Sequence, residues 1–285
     1  MIVFPNCKIN LGLRILRKRN DGYHDLETIF YPLPLYDVLE VIRDTGCGMR
    51  DTGNNQDESF VQFSNSGFSV NGNQGDNLCI KAYHLLKNDF PQLSWIQMHL
   101  HKAIPTGAGL GGGSADAAFT LKLLNEKFNL ALSTDQLSNY SLQLGSDCPF
   151  FIINKPCIAT GRGELLEPVT IDLSAYKFII VNPGIHISTA DAFSGITPAF
   201  PAKSMKEIIQ QPLETWKNEL VNDFEKTVFS QHPEIEAIKN KLYEAGACYA
   251  SMSGSGSTVY GIFEKNIEVK FNFPSNYFIK ELESA

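Results

Sequence analysis

The sequence predicts an α+β protein. Three observations carry that expectation: residues 1–42 read as strands, a glycine-rich loop within Pro105–Ala118 runs straight into a helical pattern, and the second half mixes strand-like with helix-like runs. In chain order, Ile9, Leu11 and Leu13 alternate along a first strand, Asp21-Gly22 marks a hairpin, and Val38–Ile42 is another strand. The polar stretch from Thr45 to Gly75 is expected to hold two short strands, Phe60–Phe63 and Gly67–Val70, on loose connections. Asp76-Asn77 starts a helix running through Leu86, and Ile96, Met98 and Leu100 alternate in a strand from Trp95 to His101. After the glycine loop a helix begins near Ser114, with Ala117, Ala118, Leu121, Leu124 and Phe128 on one apolar face.

Ser133-Thr-Asp-Gln136 is a capping box that opens the next helix, and Gly145 ends it as a C′ glycine. Pro149 is expected to hold Ser146, Asp147 and Cys148 in a turn, with Phe150–Ile153 entering a strand. Gly161-Arg-Gly163 and Val181-Asn-Pro183-Gly184 are punctuation. Lys177–Val181, Tyr249–Ser251 and Thr258–Phe263 supply strands, and Met205–Gln210, Trp216–Phe229 and Pro233–Ala245 supply helices.

Composition bounds the function without selecting it. A chain of 285 residues, 43% hydrophobic, can enclose one large or two medium domains. Its net charge of -7 argues against a general nucleic-acid or anionic-membrane surface, although a few local cations can hold an anionic small molecule. No apolar run approaches the ~20 residues that span a bilayer. Met1-Ile-Val-Phe-Pro lacks the charged start and long apolar run of a secretion signal, so a cytoplasmic location is expected. The six cysteines are scattered without a C-x-x-C pair and read as reduced, mostly buried small residues.

The loop PTGAGLGGGSADAA carries the chemistry. Glycines let backbone N–H groups crowd a ligand, and a helix start adds unpaired donors and a positive dipole end, so the stretch is built to hold phosphate. Gly107-Ala-Gly109-Leu-Gly-Gly112 satisfies the dinucleotide pattern, but Lys102-Ala-Ile-Pro-Thr separates it from its strand, and a second helix rather than an acid-terminated strand follows. Gly107–Ser114 approaches a P-loop, yet Gly113 stands where the phosphate-binding lysine is required. A glycine-rich surface loop with no ligand fits the strongly biased composition poorly.

Two further segments bear on the loop: Pro5-Asn-Cys-Lys8-Ile-Asn10-Leu-Gly-Leu13, and Ser251-Met-Ser253-Gly254-Ser255-Gly256-Ser257-Thr258 between two strand-like runs. With the loop, this order resembles the GHMP kinases, the superfamily of galactokinase, homoserine kinase, mevalonate kinase and phosphomevalonate kinase. Within it, Lys8-Ile-Asn-Leu, Asp21-Gly-Tyr-His24, Gly109–Asp116 and Gly145-Ser-Asp147-Cys-Pro149-Phe resemble the 4-diphosphocytidyl-2-C-methyl-D-erythritol kinase family. The likeness spans positions 5–258. It implies a two-domain GHMP kinase fold, with a ribosomal-S5-domain-2-like N-terminal domain at 1–157 and a ferredoxin-like C-terminal domain at 158–285. It also implies ATP and Mg²⁺, a cytidylated polyol substrate, no nucleic-acid or membrane partner, and a monomer or weak homodimer. Another GHMP small-molecule kinase of the homoserine or mevalonate type, or a catalytically silent nucleotide-binding regulator on this fold, is the alternative.

Single residues read differently with and without the resemblance. By spacing alone Asp147 is an Asx-turn former; the resemblance makes it the acid that takes the proton of the attacking hydroxyl. Ser146 and Cys148 depart there from the family's usual Gly-Ala-Asp-Val. Lys8, among apolar neighbours, is by pattern equally a solvated edge lysine; the resemblance pairs it with Asp147 and the transferring phosphoryl group. Cys7, where alanine is common, reads as packing. On the ATP side the resemblance implies that Asn77 and Lys102 line the adenosine pocket. Pro105, Gly107, Ala108, Gly109, Leu110, Gly111, Gly112, Gly113 and Ser114 would cradle the triphosphate, with Ser114 capping the helix or meeting Mg²⁺ and no other metal ligand assigned. Asp116 reads as a dipole partner of its helix rather than a metal ligand. On the substrate side stand Asn10, Tyr23, His24, Thr189, Phe193, Ser253, Gly254, Ser255 and Gly256. His24 alone is an exposed loop histidine, and Ser253–Ser257 alone an ordinary hairpin loop; the resemblance makes His24 a partner of a cytosine edge, with Tyr23 and Phe193 stacking on that ring.

Overall fold

The computed structural model describes residues 1–43, 61–70 and 72–283. They fall into two compact units, each gathered from several chain segments: Met1–Pro5, Tyr36–Thr106 and Gly113–Ile153 form the first, and Asn6–Leu35, Gly107–Gly112 and Asn154–Ala285 the second.

The first unit is built on a four-stranded sheet in the order β1 (Ile2–Val3), β4 (Val38–Arg43), β6 (Ile96–Lys102), β5 (Val61–Gly67). β6 runs antiparallel to β4 and parallel to β5. Its alternation is the expected one, with Ile96, Met98 and Leu100 buried and Gln97 and His101 exposed. The stretch from Thr45 to Gly75 differs from expectation: among its described residues one strand, β5, stands where two were anticipated. Phe60 lies outside the described residues. Gly67, at φ +81, ends β5, since a Cβ there would lie 2.1 Å from the Lys102 carbonyl oxygen. α1 (Leu78–Asp89) is capped by Asn77, whose Oδ1 accepts from Cys79 N at 2.9 Å, a cap worth about 1 kcal/mol. α2 (Gly112–Lys127) buries Ala115, Ala117, Ala118, Leu121 and Leu124. α3 (Thr134–Leu144) opens on the capping box, with both reciprocal Ser133–Gln136 bonds formed. Gly145, at φ 167, ends it in extended backbone rather than as a left-handed cap. α4 (Cys148–Ile153) is helical where a turn at Cys148 and a strand over Phe150–Ile153 were expected. Pro149 causes no break there because it stands in the first helical turn, where no N–H is needed.

The second unit holds two four-stranded sheets. One has the order β2 (Asn6–Lys18), β3 (His24–Tyr36), β7 (Cys157–Thr160), β8 (Leu165–Pro168). Gly22, at φ +86, makes the hairpin turn anticipated at Asp21-Gly22. The other is antiparallel, in the order β10 (Tyr249–Met252), β11 (Val259–Glu264), β9 (Tyr176–Asn182), β12 (Phe278–Glu283). Ile179, Val181, Met252, Val259 and Phe263 of this sheet pack with Ile235, Ile238 and Leu242 of α9 (Pro233–Glu244), whose first position is the proline. α5 (Thr189–Ser194) and α6 (Met205–Ile208) precede it.

The helix expected over Trp216–Phe229 is two: α7 (Trp216–Glu219) and α8 (Phe224–Gln231). The interruption is tertiary. Leu13 N donates to the Val221 carbonyl at 2.9 Å and Asp223 N to the Leu13 carbonyl at 2.8 Å, so β2 captures the backbone that would have continued the helix.

Candidate active site

β2 is buried from Asn6 through Ile15, on both faces. The alternation at Ile9, Leu11 and Leu13 explains one face; the other carries Lys8 and Asn10, only 3% and 2% exposed. A buried ammonium is tolerated only with partners. Lys8 Nζ donates to Asn10 Oδ1 at 2.6 Å and sits 4.8 Å from the centre of the Phe30 ring. Asn10 is fixed in turn. Its Nδ2 donates to Thr28 Oγ1 at 2.9 Å, its N to Ser253 Oγ at 3.2 Å, and its carbonyl accepts from the Tyr260 hydroxyl at 2.7 Å.

The glycine loop joins the same network. Lys8 N donates to the Leu110 carbonyl at 2.9 Å, Ser253 Oγ to the Gly109 carbonyl at 2.8 Å and Thr258 N to the Ala108 carbonyl at 3.3 Å. Three carbonyls of the loop are therefore turned into the protein, an orientation that suits N–H donation to an anion on the other side. Gly109 has no substitute here: at φ +78, a Cβ would lie 2.0 Å from the Ser253 carbonyl oxygen. Gly107 and Gly111 are also left-handed, whereas Gly112 and Gly113 already belong to α2. Buried Asn222 braces the facing loop, its Nδ2 donating to the Met252 and Gly254 carbonyls at 2.8 and 2.9 Å. Gly254 and Gly256 are left-handed; Ser255 between them is half-buried.

Of the residues expected at the substrate end, His24 stacks on Phe193, with centroids 4.7 Å and planes 18° apart, so the histidine lies on a face of Phe193. Tyr23, 56% exposed, instead carries the Arg162 guanidinium 4.7 Å from its ring centre. Thr189 is the exposed first residue of α5, behind its cap Ser188.

The remaining candidates belong to the first unit. Asp147 is half-buried in the turn immediately before α4, so the dipole it faces is a helix start, which favours a carboxylate. The next residue, Cys148, has a thiol pushed up to about 12 by burial and hydrogen-bonded by Ser114 in the first turn of α2. Lys102 is 4% exposed; its ammonium donates to Asp116 Oδ2 at 2.8 Å and, by a short bond, to Asp37 Oδ2. Burial pushes that ammonium down, and the charges of Asp116 and Asp37 more than offset it, leaving its pKa raised. Asp116 moves up as well, to about 7, because burial, joined by the charge of Asp37, outweighs the attraction of Lys102. Lysine sees two anions whereas Asp116 sees one cation and one anion, so both shifts are consistent. Pro105 is buried in the approach to the loop.

Lys8, Asn10, Ala108–Leu110 and Ser253–Gly254 are thus brought together within one unit. Asp147, Ser114, Lys102 and Asn77 lie in the other. Sequence reasoning missed Asp37, Thr28, Arg162, Asn222 and Tyr260. Each acts through a partner distant in the chain and has no local signature.

Residues 77–155 match the family described as GHMP kinases N terminal domain, and residues 199–277 match GHMP kinases C terminal. A 4-diphosphocytidyl-2-C-methyl-D-erythritol kinase of Bacteroides fragilis is 51% identical over 278 residues, 97% of each chain. One from Cytophaga hutchinsonii is 47% identical over 97% of each chain. Among solved structures, a 4-(cytidine 5'-diphospho)-2C-methyl-D-erythritol kinase superposes with a TM-score of 0.77 at 26% identity over 100% of both chains. Methanococcus jannaschii mevalonate kinase shares the fold, with a TM-score of 0.65 at 13% identity over 100% of this chain and 98% of its own.

Proposed function

Because the chain belongs to the 4-diphosphocytidyl-2-C-methyl-D-erythritol kinase family of GHMP kinases, we propose that it transfers the γ-phosphoryl of ATP to the 2-hydroxyl of 4-diphosphocytidyl-2-C-methyl-D-erythritol, a step of non-mevalonate isoprenoid synthesis. The observation that carries this reading from the geometry is the convergence of the Lys8–Asn10 strand, the glycine loop and the Ser253 turn on one set of hydrogen bonds. Phosphoryl transfer asks the protein mainly for positioning and charge stabilisation, and a buried lysine with a fixed partner beside a loop built for anions suits that demand.

In this reading Asp147 takes the hydroxyl proton, and Lys8 stabilises charge developing on the transferring group. The loop from Gly107 to Ser114 holds the triphosphate, Asn77 stands at the adenosine end, and His24, Tyr23 and Phe193 hold the cytosine ring. Mg²⁺ would accompany the ATP phosphates, as is usual where phosphoryl groups are transferred, with Ser114 as its candidate protein ligand. The division into domains at 1–157 and 158–285 is supported by family matches that lie on either side of it. We further propose a cytoplasmic enzyme without nucleic-acid or membrane partners, a monomer or weak homodimer. Cys79, Cys148, Cys157 and Cys248 form no disulfide, Cys47 lies outside the described residues, and no described helix is long and apolar enough to cross a membrane.

The test is ADP release with ATP, Mg²⁺ and a panel of alcohols: the cytidylated methylerythritol, its uridine analogue, mevalonate and homoserine. Turnover is expected to be far faster with the first than with the others, the uridine analogue losing about 1–3 kcal/mol per mismatched polar group. Faster turnover of mevalonate or homoserine overturns the substrate assignment, and ATP binding with no turnover of any alcohol identifies a silent regulator.

A further inference from the structure

The cluster of Lys102, Asp37 and Asp116 is buried, charged and unused by the reaction just described. Lys102 is the last residue of β6, and the chain that leaves it, Ala103–Gly111, is the glycine-loop segment; it re-enters secondary structure as α2, four residues before Asp116. Lys102 and Asp116 therefore stand at the two ends of the loop, and their 2.8 Å bond closes it. Asp37 ties down the departing end a second time. Its Oδ1 accepts from Ala103 N at 2.6 Å and from Ile104 N at 2.9 Å, while its other oxygen meets Lys102. On the returning end, Thr120 Oγ1 donates to the Asp116 carbonyl at 2.7 Å, inside the same buried layer.

We propose that Lys102, Asp37 and Asp116 form an internal clamp that sets the separation of the two ends of the glycine loop, making Lys102 a positioning residue for the triphosphate. This rests on the reading of the loop as the ATP site. Two features support it. All of the Lys102 ammonium contacts that the structure records run inward to the two carboxylates, at 4% exposure, a poor arrangement for a side chain that meets adenosine. The charge balance is also wasteful for mere packing: two carboxylates share one ammonium, and Asp116 Oδ1 is buried without a partner. The Lys102–Asp37 pair alone would be neutral, so what the second carboxylate adds is a tether to α2. Cys79 of α1, whose thiol burial holds high, also lies near Asp116.

Asp116 offers the test, because removing it leaves the Lys102–Asp37 pair intact. Asp116→Ala is expected to raise KM for ATP and to weaken calorimetric binding of ATP and ADP by about tenfold or more, while KM for the alcohol substrate and inhibition by adenosine hold in a chain that far-ultraviolet dichroism shows to be folded. Asp116→Asn keeps an acceptor for Lys102 and should restore nucleotide affinity to within about threefold of the unmodified protein. Unchanged ATP and ADP affinity in Asp116→Ala overturns the clamp. Equal losses for ATP and adenosine also overturn it and make the cluster part of the nucleoside site. If the unmodified protein binds no ATP at all, the kinase reading itself falls, and the clamp with it.

Discussion

Lys8 and Asn10 are one structural statement made by two residues. The ammonium is acceptable in the interior because Asn10 receives it, and Asn10 can receive it because Thr28, Ser253 and Tyr260 occupy its other polar groups. Lys8→Ala is expected to lower kcat far more than it weakens ATP binding, since a cation aimed at developing charge acts mainly in the transition state. A proportional loss of ATP affinity, read by calorimetry beside turnover, would make Lys8 a binding residue. Asp147→Asn should leave ATP binding intact and slow turnover by a factor on the order of 10² or more. Near-normal turnover would remove Asp147 from the role of base.

At the scale of elements, the glycine loop and the Ser253 turn constrain each other through backbone alone. Gly109→Ala would drive a methyl into the Ser253 carbonyl and add left-handed strain, so ATP binding should be lost even where far-ultraviolet dichroism shows a folded chain. Gly111→Val should act similarly through its φ of +69. Gly112 is different: it starts α2 without a left-handed φ, so Gly112→Ala should retain binding within a few-fold. Comparable loss at Gly109 and Gly112 would show that bulk near the phosphates, rather than backbone conformation, governs the loop. Between α7 and α8, Asn222 holds the Met252 and Gly254 carbonyls and also accepts from Phe224 N at 3.0 Å. Asn222→Ala strands those buried groups at roughly 1–3 kcal/mol each, and a lowered unfolding midpoint in urea is the expected reading.

For the whole molecule, Asp116 sets a pH dependence. Its pKa is raised in the folded state, to about 7 against an ordinary carboxylate near 4 when unfolded. Its stabilising contribution is therefore full below the unfolded value and is lost as pH rises through about 7. Asp223, raised by burial, adds to the same trend. Asp21 and Asp25 are lowered, by hydrogen bonds from Arg19 and from Arg17 and Arg19, and act only below the ordinary carboxylate range. Thermal stability is expected to fall from pH 5 to pH 8, by a few kcal/mol at most, and Asp116→Asn should flatten most of that slope. An unchanged slope in the variant would assign the effect elsewhere.

What the sequence determined by itself was local. The alternation of Ile9, Leu11 and Leu13, the Ser133–Gln136 capping box, the Asn77 cap and the hairpin at Asp21-Gly22 are short-range physics, legible because each signal and its structural consequence lie within a few residues. The motifs at Lys8, Gly109 and Ser253 were likewise legible as motifs and sufficed for the family. The tertiary structure decided everything that depends on a distant partner. It broke the Trp216–Phe229 helix because β2 hydrogen-bonds to residues 221 and 223. It also turned Lys102 inward, since a lysine in a strand says nothing about carboxylates 65 residues upstream and 14 downstream until the chain has brought them within hydrogen-bond reach.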